Sequence, residues 1–197
     1  GPTSIGMVEL MRESDAGQST NHYHFSVYAT ADEVTPQIIR GDLDIAAVPA
    51  NLAAVLYNKT EGKIKLLAIN TLGVLDIVES GDTIRSMQDL KGRTIYATAK
   101  GSAPEYALRY LLQSNGIDPD KDVTIEWKSE PTEIVSVLAS DSSAVAMLPQ
   151  PYVTAAIAKV SNLHIALDLN QVWQDSDADS QMVTGVLIVR SEFADAH

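Results

Sequence analysis

The sequence has no cysteine, and this absence excludes several kinds of chemistry. With 0 Cys among 197 residues, disulfide bonds, thiolate zinc sites and a cysteine nucleophile are ruled out. Basic residues are also scarce, since 14 Lys and Arg stand against 26 Asp and Glu, which gives a net charge of −12. Because phosphate contacts need clustered Lys and Arg, this balance argues against a nucleic-acid partner.

Long apolar runs are missing as well, because no stretch approaches the roughly 20 residues that span a bilayer. The chain opens on Gly1-Pro2-Thr3-Ser4, a loop that leads directly into a predicted helix. We therefore expect an internal segment of a longer protein, with any export signal outside it. Hydrophobic residues make up 45% of the chain and charged residues 20%, which is ordinary for a globular protein. The length suits one large domain or two lobes of about 100 residues each.

Residues 38–51 (IIRGDLDIAAVPAN) indicate the fold class. They predict the end of a helix, a turn at Gly41-Asp42, a strand over 43–48 and a new helix near Pro49. The strand is apolar except for Asp44, as expected when both faces are covered. Such strands are typical of doubly wound α/β sheets, where ligands bind beyond the carboxyl ends of the strands.

A second stretch, residues 144–152 (AVAMLPQPY), repeats this pattern of a strand and a proline-marked helix start. Together with the alternation of strands and helices along the chain, the repeat predicts an α/β protein of two similar lobes. We place two strand crossovers, at 69–76 and 181–186, at a hinge between them. Lobe 1 is then discontinuous, with residues 1–76 and 181–197, and lobe 2 comprises residues 77–180.

Several local elements follow from shorter patterns. Residues 1–14 predict a helix with Thr3 or Ser4 as its N-cap, and Ser102 with Glu105 fits a capping box. Strands are predicted over Tyr23–Thr30 and Met182–Arg190, and a loop over Asp175–Asp179.

In this order, the motifs give the chain a resemblance to a known family. It resembles the solute-binding proteins of ABC importers in the nitrate, sulfonate and taurine group, which also includes thiamine-precursor binders. Each motif alone is weak, because glycine-aspartate turns before strands are common, but the ordered set covers nearly the whole chain. The similar segments are 1–6 (GPTSIG), 39–49 (IRGDLDIAAVP), 87–95 (MQDLKGRTI), 101–105 (GSAPE) and 147–152 (MLPQPY).

The resemblance implies a type II periplasmic-binding-protein-like fold, in which two α/β lobes close on a small solute between them. It also implies a monomer that is recognised by a membrane permease and is periplasmic or extracellular, with or without a lipid anchor. In such proteins a first strand would precede Gly1 and further helices would follow His197, so we expect these parts to lie outside the chain.

The candidate ligand-binding residues are polar or small residues at helix starts and strand ends that this topology turns toward the cleft. Helix starts present free N–H groups and a partial positive charge, so they receive anions without a basic side chain. The predicted residues are Thr3, Ser4, Pro49, Asn51, Asn70, Thr71, Gly101, Ser102, Gln150 and Tyr152.

Structural alternatives stay open for several of these residues. Ser102 could act only as a helix cap, Asn70-Thr71 could form a simple turn, and Tyr152 could pack on the surface instead of stacking on a ligand. His22 and His24 share one face of a predicted strand, as a metal pair would. No third ligand is adjacent, so a solvated strand edge fits them better and no metal site is predicted.

The sequence contains no nucleophile elbow, no phosphate-cradling loop and no His-Glu-x-x-His motif, so we expect a binding protein without a cofactor rather than an enzyme. Two alternatives on the same fold remain, namely the effector-sensing domain of a transcription regulator and a biosynthetic enzyme. The helix starts favour an anionic group, but Lys100 is the only nearby cation. We therefore expect a weakly charged or aromatic organic solute.

Overall fold

A computed structural model describes residues 2–28, 30–177 and 179–197. Contacts within the chain divide it into two compact units. Unit 1 consists of the residues up to Leu72 together with Val183–His197, and unit 2 of Gly73–Met182. The predicted lobe boundaries, after residue 76 and before residue 181, lie close to these divisions.

Helices and strands alternate through most of the chain. The α-helices are α1 (Val8–Asp15), α2 (Ala31–Arg40), α3 (Ala50–Lys59), α4 (Ala103–Ser114), α5 (Pro131–Ser140), α6 (Tyr152–Ile157), α7 (Leu169–Ser176) and α8 (Ser191–Ala196). The strands are β1 (Ile45–Pro49), β2 (Ile64–Thr71), β3 (Leu75–Glu79), β4 (Thr94–Ala97), β5 (Thr124–Trp127), β6 (Val145–Pro149), β7 (His164–Asp168) and β8 (Gly185–Arg190). Short 3₁₀ helices span Pro2–Met7 and Met87–Leu90. Within the described ranges, no helix has both the length and the apolar character needed to cross a membrane.

Unit 1 contains a three-stranded sheet in the order β1-β8-β2. Because β8 is antiparallel to both neighbours, β1 and β2 run in the same direction. Helices α2 and α3 pack on this sheet through one hydrophobic cluster, which includes Ile38, Val48, Leu56 and Ile188. The two adjacent parallel strands expected of a doubly wound sheet are therefore separated here by an antiparallel strand.

Strand β1 differs from its prediction in extent and in burial. It begins at Ile45 rather than at Leu43, and burial alternates along it, with Ala46 and Val48 in the core and the residues between them only partly covered. Alternation is the pattern of a strand with one face on a core. The prediction that both faces are covered is wrong for this strand.

The predicted strand over Tyr23–Thr30 is also wrong. Residues 22–28 form no strand, and Ala29 lies outside the described residues. Alternating side chains indicate a surface with one apolar face, but a strand also needs a neighbour to complete its hydrogen-bond ladder. None of the unit 1 strands β1, β2 and β8 pairs with this segment.

Helix boundaries depart from the sequence analysis at both ends of the chain. Thr3 and Ser4 lie inside a 3₁₀ helix and Met7 precedes α1, so neither is its N-cap; Gly1 lies outside the described residues. The predicted loop over 175–179 overlaps α7, whose last residues are Asp175 and Ser176, and Ala178 is not described. Strand β8 begins at Gly185 instead of Met182.

Unit 2 contains a five-stranded mixed sheet in the order β5-β4-β6-β3-β7. Strand β4 is parallel to β5 and β6, whereas β3 is antiparallel to β6 and β7. Alternate residues of β6 belong to two different core clusters, since Met147 packs with α4 and α7 and Leu148 packs with α5 and α6. The sheet of unit 2 is therefore covered on both faces, and both tryptophans, Trp127 and Trp173, pack against the first cluster.

Candidate functional site

The carboxyl ends of β1 and β2 lie at one edge of the unit 1 sheet, and Thr184 joins them. We call residues 49–51, 70–72 and 184–185 the unit 1 edge. The Ala50 N–H donates to the Thr184 carbonyl at 3.1 Å, and the Thr184 N–H donates to the Thr71 carbonyl at 3.1 Å. The Thr184 hydroxyl donates to the Leu72 carbonyl at 2.6 Å. Thr184 is buried. It is not among the predicted residues, because those were chosen at helix starts and at the carboxyl ends of strands, whereas Thr184 precedes the start of β8.

The 3₁₀ helix Pro2–Met7 packs on the unit 1 edge. The Asn70 amide and the Thr71 hydroxyl both donate to the Thr3 carbonyl, at 2.7 and 3.2 Å. Glycine is required at position 6, because a Cβ there would lie 2.3 Å from the Asn70 carbonyl oxygen. The structure therefore brings together four of the predicted ligand-binding residues: Thr3, Ser4, Asn70 and Thr71.

These contacts give two of the four residues a structural role. Asn70 Nδ2 and Thr71 Oγ1 hold the Thr3 carbonyl in place, so the Asn70-Thr71 segment is more than a simple turn. Asn70 Oδ1, in contrast, is buried and has no hydrogen-bond partner among the described residues. An acceptor left in this state costs about 1–3 kcal/mol. It is the atom of the unit 1 edge that most needs a donor.

The start of α3 offers fewer free N–H groups than the sequence analysis expected. Pro49 occupies the cap position and provides no side-chain hydrogen bond. The Ala50 N–H is already bonded to the Thr184 carbonyl. Pro49 and Asn51 are both half-buried, so they form part of the wall of the unit 1 edge.

Strand directions in unit 2 place the remaining predicted residues at one edge of its sheet. Strands β4 and β6 are parallel, so the loops that follow them emerge at the same edge. Strand β3 starts at this edge and β7 ends there, because each is antiparallel to its neighbour. We call this the unit 2 edge, and the predicted residues that lie on it are Gly101, Ser102, Gln150 and Tyr152.

The start of α4 is held by Glu105 rather than by Ser102. Glu105 Oε2 accepts the Gly101 N–H at 2.6 Å, while the Ser102 side chain makes no capping hydrogen bond. The predicted capping box is therefore wrong. Gly101 has a φ of +77°, in the left-handed region that glycine adopts without strain. A carboxylate thus occupies the position where an anion would meet the helix N-terminus.

Gln150 joins three elements of unit 2. Its N–H donates to the Val74 carbonyl at 2.9 Å, and its Oε1 accepts from the Thr154 hydroxyl at 2.9 Å. Its side chain also lies near the Asp76 carboxyl group and acts to lower the pKa of that group. Tyr152 is half-buried and packs against the core cluster of α5 and α6. This packing supports the alternative role for Tyr152 more than stacking on a ligand.

Asp76 and Asp168 were missed by the sequence analysis, although both lie on the unit 2 edge. They are direct partners across the β3–β7 pairing. Burial, followed by the charge of Asp168, raises the pKa of Asp76 from its ordinary 3.8 to about 6, although the nearby Gln150 side chain acts in the opposite direction. Asp168 also caps α7 by accepting the N–H groups of Asn170 and Gln171, at 2.8 and 3.2 Å. An ionisable residue inside the apolar run 74–78 was the available signal for Asp76.

A cavity of about 530 Å³ lies elsewhere in unit 2, near the amino ends of β4 and β6, with Arg93, Tyr96 and Ser143 in its lining. It contains none of the predicted residues. Glu79, which also lines it, is 2% exposed. Burial acts to raise the pKa of Glu79, but hydrogen bonds from Thr83 and Ile84 outweigh it and hold that pKa below its ordinary value. The carboxylate is thus satisfied internally, and we do not place the ligand site at this cavity.

The described parts of the chain contain no group of three or more His, Cys, Asp or Glu side chains able to hold a metal ion. The predicted residues instead fall on two polar sheet edges, one in each unit. Residues 12–188 match the family model described as "ABC transporter, phosphonate, periplasmic substrate-binding protein". The chain belongs to this family. The expected family, the substrate-binding proteins of ABC transporters, is therefore confirmed.

A binding protein of Brucella abortus (strain 2308) is 36% identical over 85 residues, which are 43% of this chain and 26% of that protein. The match thus spans about a quarter of the relative. An ABC transporter structure from Parabacteroides distasonis has a TM-score of 0.72 at 24% identity, with 95% of this chain and 67% of that chain covered.

The periplasmic aliphatic sulphonate-binding protein SsuA of Escherichia coli has a TM-score of 0.69 at 15% identity, covering 99% of this chain and 64% of that one. The ligand-binding component of an ABC-type import system from Staphylococcus aureus, solved with zinc bound, has a TM-score of 0.69 at 16% identity. The match covers 100% of this chain and 66% of that chain. At such identities the likeness shows the fold alone. It confirms the predicted α/β, periplasmic-binding-protein-like fold class.

Proposed function

We propose that this chain forms part of the extracytoplasmic solute-binding component of an ABC importer, which delivers a small organic solute to a membrane permease. The observation that carries this proposal is the family match over residues 12–188. The two polar sheet edges support it, because ligands of open α/β sheets bind beyond the ends of the strands. The effector-sensing and enzymatic alternatives have no comparable support, since the family description names a transport protein.

We assign the solute an anionic head group of low charge, such as a phosphonate or a sulfonate. The family description names phosphonate, and SsuA is described as a sulphonate-binding protein. The start of α4 presents the positive end of a 12-residue helix, which favours a negative charge. Lys100 is the one Lys or Arg in the segment 98–102, so a head group with several charges would be poorly balanced.

The solute contact that we propose on the unit 2 edge is Ser102, and those that we propose on the unit 1 edge are Thr3 and Ser4. Ser102 Oγ is not used as a helix cap. We further propose that the protein acts as a monomer outside the cytoplasmic membrane, with no nucleic-acid partner.

Thermal-shift screening of the purified protein tests the proposal. The panel is methylphosphonate, ethanesulfonate, nitrate, a thiamine precursor and an aromatic acid, each followed by calorimetric titration if it raises Tm. A solute that binds the folded state raises the apparent stability by about 2.7 kcal/mol at 100 times its Kd. We expect at least one of the oxyanion compounds to bind.

Ser102→Ala, with Ser136→Ala as the matched control, then locates the site. Ser136 is exposed on α5 and donates only to the Thr132 carbonyl. Loss of a hydrogen bond to a charged group costs about 1.5–3 kcal/mol, so Ser102→Ala should weaken binding by about tenfold or more, and Ser136→Ala should not. If no compound shifts Tm, solute binding by this chain loses its support; if both variants bind equally well, Ser102 is not a contact.

A further inference from the structure

The cavity near the amino ends of β4 and β6 is separate from the unit 2 edge. Its volume of about 530 Å³ lies within the range of small-molecule sites. It lies where β3 ends and where β4 and β6 begin, whereas the unit 2 edge lies at the other ends of the same strands. The five residues of β6 span about 16 Å. A molecule in this cavity therefore does not meet a solute bound at the unit 2 edge.

The lining of the cavity is polar and has charges of both signs. Among the described residues that line it, Arg93 is the one cation, and Glu79 and Asp141 are the two carboxylates. Most of the other lining residues are small or carry a hydroxyl group, as Thr94 and Ser142 do. Because hydroxyl groups both donate and accept hydrogen bonds, such a lining suits a small polar molecule.

Arg93 has no ion pair within the described residues. Its guanidinium donates from Nη1 to Thr83 Oγ1 at 3.3 Å and from Nη2 to the Ser143 carbonyl at 3.4 Å. Both hydrogen bonds are longer than the usual N–H···O distance of about 2.7–3.2 Å. A guanidinium has five N–H donors and binds a carboxylate through two of them at once. Arg93 is therefore able to receive a carboxylate that the described residues do not supply.

The two lining carboxylates are hydrogen-bonded to different extents. Glu79 is buried and accepts from the Thr83 and Ile84 N–H groups and from the Thr83 hydroxyl. Asp141 is exposed, and its Oδ1 accepts the Ser143 N–H at 2.8 Å and the Ser143 hydroxyl at 2.6 Å. These bonds hold the pKa of Asp141 below its ordinary 3.8, so it is charged in neutral solution. Both bonds use Oδ1, and Oδ2 is the oxygen that can accept from a ligand.

Ser143 lies between the charges of Arg93 and Asp141. Its carbonyl accepts from Arg93 and its N–H donates to Asp141, so the two opposite charges stand on either side of one residue. No ion pair joins them within the described part of the chain. In this cavity an anion is repelled by two carboxylates and a cation by the guanidinium. A molecule with one group of each sign meets an attractive partner for both.

We infer that this cavity binds a small polar zwitterion of the α-amino acid class, with its carboxylate on Arg93 and its ammonium group on Asp141. The guanidinium donates two hydrogen bonds to the carboxylate, and the ammonium group donates to Asp141 Oδ2. The hydroxyl groups of Thr94 and Ser142 contact the rest of the molecule. This site is a second one, and the inference does not rest on the solute proposed for the unit 2 edge.

NMR titration of the 197-residue protein with L-serine tests the inference. L-serine should shift the backbone amide signals of Gly92 and Ser143, which line the cavity, and leave that of Ser102 on the unit 2 edge unchanged. Two molecules that each lack one charged group are the matched controls. 3-Hydroxypropionate lacks the ammonium group and ethanolamine lacks the carboxylate, so each should bind at least about tenfold more weakly.

Three outcomes of this titration overturn the inference. They are unshifted Gly92 and Ser143 signals with L-serine, a shift of Ser102 in their place, and binding of 3-hydroxypropionate as tight as that of L-serine. Ethanesulfonate, titrated into a separate sample, reports on Ser102 and so tests the proposed function independently. Failure of one site therefore leaves the result for the other site intact.

Substitutions of the two charged residues locate the contacts. Asp141→Asn keeps an oxygen that can accept from Ser143 and removes the charge, so it should weaken L-serine binding without weakening that of 3-hydroxypropionate. Arg93→Gln should weaken the binding of both by about tenfold or more. Arg85→Gln is the control, because Arg85 is exposed and paired with Asp82. L-serine binding that survives in Arg93→Gln, or that falls equally in Arg85→Gln, contradicts the assignment.

Arg93→Lys keeps the test decisive if Arg93→Gln does not fold. The lysine side chain retains the positive charge but has no planar pair of donors. L-serine should therefore bind more weakly to Arg93→Lys than to the native sequence, with Tm in the absence of ligand showing that unit 2 is folded. Unchanged affinity in a folded Arg93→Lys protein would show that the guanidinium does not hold the carboxylate.

Discussion

Strands β2 of unit 1 and β3 of unit 2 have similar apolar sequences but very different environments. In β2, Leu66, Leu67 and Ile69 are between 52% and 60% exposed, whereas Leu75 and Ile77 of β3 are 2% exposed or less. Strand β2 lies at the edge of a three-stranded sheet, and β3 lies between β6 and β7 in a sheet covered on both faces. Composition alone does not bury a strand; its neighbours do.

The largest expected effect comes from truncating a core leucine of unit 2. Leu111 on α4 is fully buried in the first cluster, so Leu111→Ala should lower the free energy of unfolding by about 3 kcal/mol. The matched change in unit 1, Leu66→Ala on the exposed side of β2, should cost less than about 0.5 kcal/mol. Urea unfolding followed by circular dichroism measures both. Equal losses would mean that Leu66 of β2 is as well covered as the first core cluster of unit 2.

Alanine substitution of one glycine in each unit compares how tightly the backbone is packed in the two units. Gly6→Ala places a Cβ 2.3 Å from the Asn70 carbonyl oxygen, an atom that the strand holds in place. This change should cost about 2–3 kcal/mol. Gly81→Ala in unit 2 meets the Glu79 carboxylate at 3.2 Å and Thr83 Cγ2 at 3.5 Å, and should cost less than about 1 kcal/mol.

Hydrogen exchange locates the effect of the two glycine changes. Faster exchange in residues 64–71 is expected for Gly6→Ala and not for Gly81→Ala. Unchanged exchange of β2 in Gly6→Ala would show that the 3₁₀ helix is not packed on the unit 1 edge.

A smaller effect, and a pH dependence, is expected from Asp76. Its pKa is raised on folding, so the folded state binds the proton more tightly than the unfolded state and the stability decreases as the pH rises from 3.8 to about 6. Allowing for solvent screening, the loss is on the order of 1–2 kcal/mol. Asp76→Asn should recover it at pH 7.5 and change little at pH 4, as thermal unfolding at the two pH values will show. A lower Tm for Asp76→Asn at pH 7.5 would contradict the buried-charge argument.

The smallest effect concerns the start of α4. The Glu105 carboxylate holds the Gly101 N–H and places a negative charge where we propose that an anionic solute binds. Glu105→Gln keeps the acceptor and removes the charge, so the affinity for the anion should rise by about 2–5-fold. Glu133→Gln, at the corresponding position of α5, should leave the affinity unchanged. Titration calorimetry separates the two, and an unchanged Kd in Glu105→Gln argues against anion binding at this helix.

The parts of the fold that were predictable from the sequence are those where local pattern and packing agree. Strand β6 and the helix after it follow from a run of small apolar residues before Pro149, and β6 is buried along its whole length. Helix α7 was missed because the acidic segment at its end resembles a loop, although Asp168 at its start is a good cap. The predicted strand over Tyr23–Thr30 is wrong because the alternation of side chains does not show whether a partner strand is present.

For the candidate site, the sequence indicated positions but not contacts. Helix starts and strand ends led to Thr3, Asn70 and Gln150, which the structure places on the two sheet edges; their role in binding stays a prediction. Asp76 could not be paired with Asp168 from sequence, because that pairing depends on the register between β3 and β7. Register is a property of the assembled sheet rather than of either strand.

Both tryptophans of the chain pack against the first core cluster of unit 2. Indole emission is therefore an intrinsic optical reporter for that half of the molecule alone, while far-ultraviolet dichroism averages over the helices of both halves. Comparing the two spectroscopic melting curves on one sample would show whether unit 1 unfolds before, with or after unit 2, with no label added.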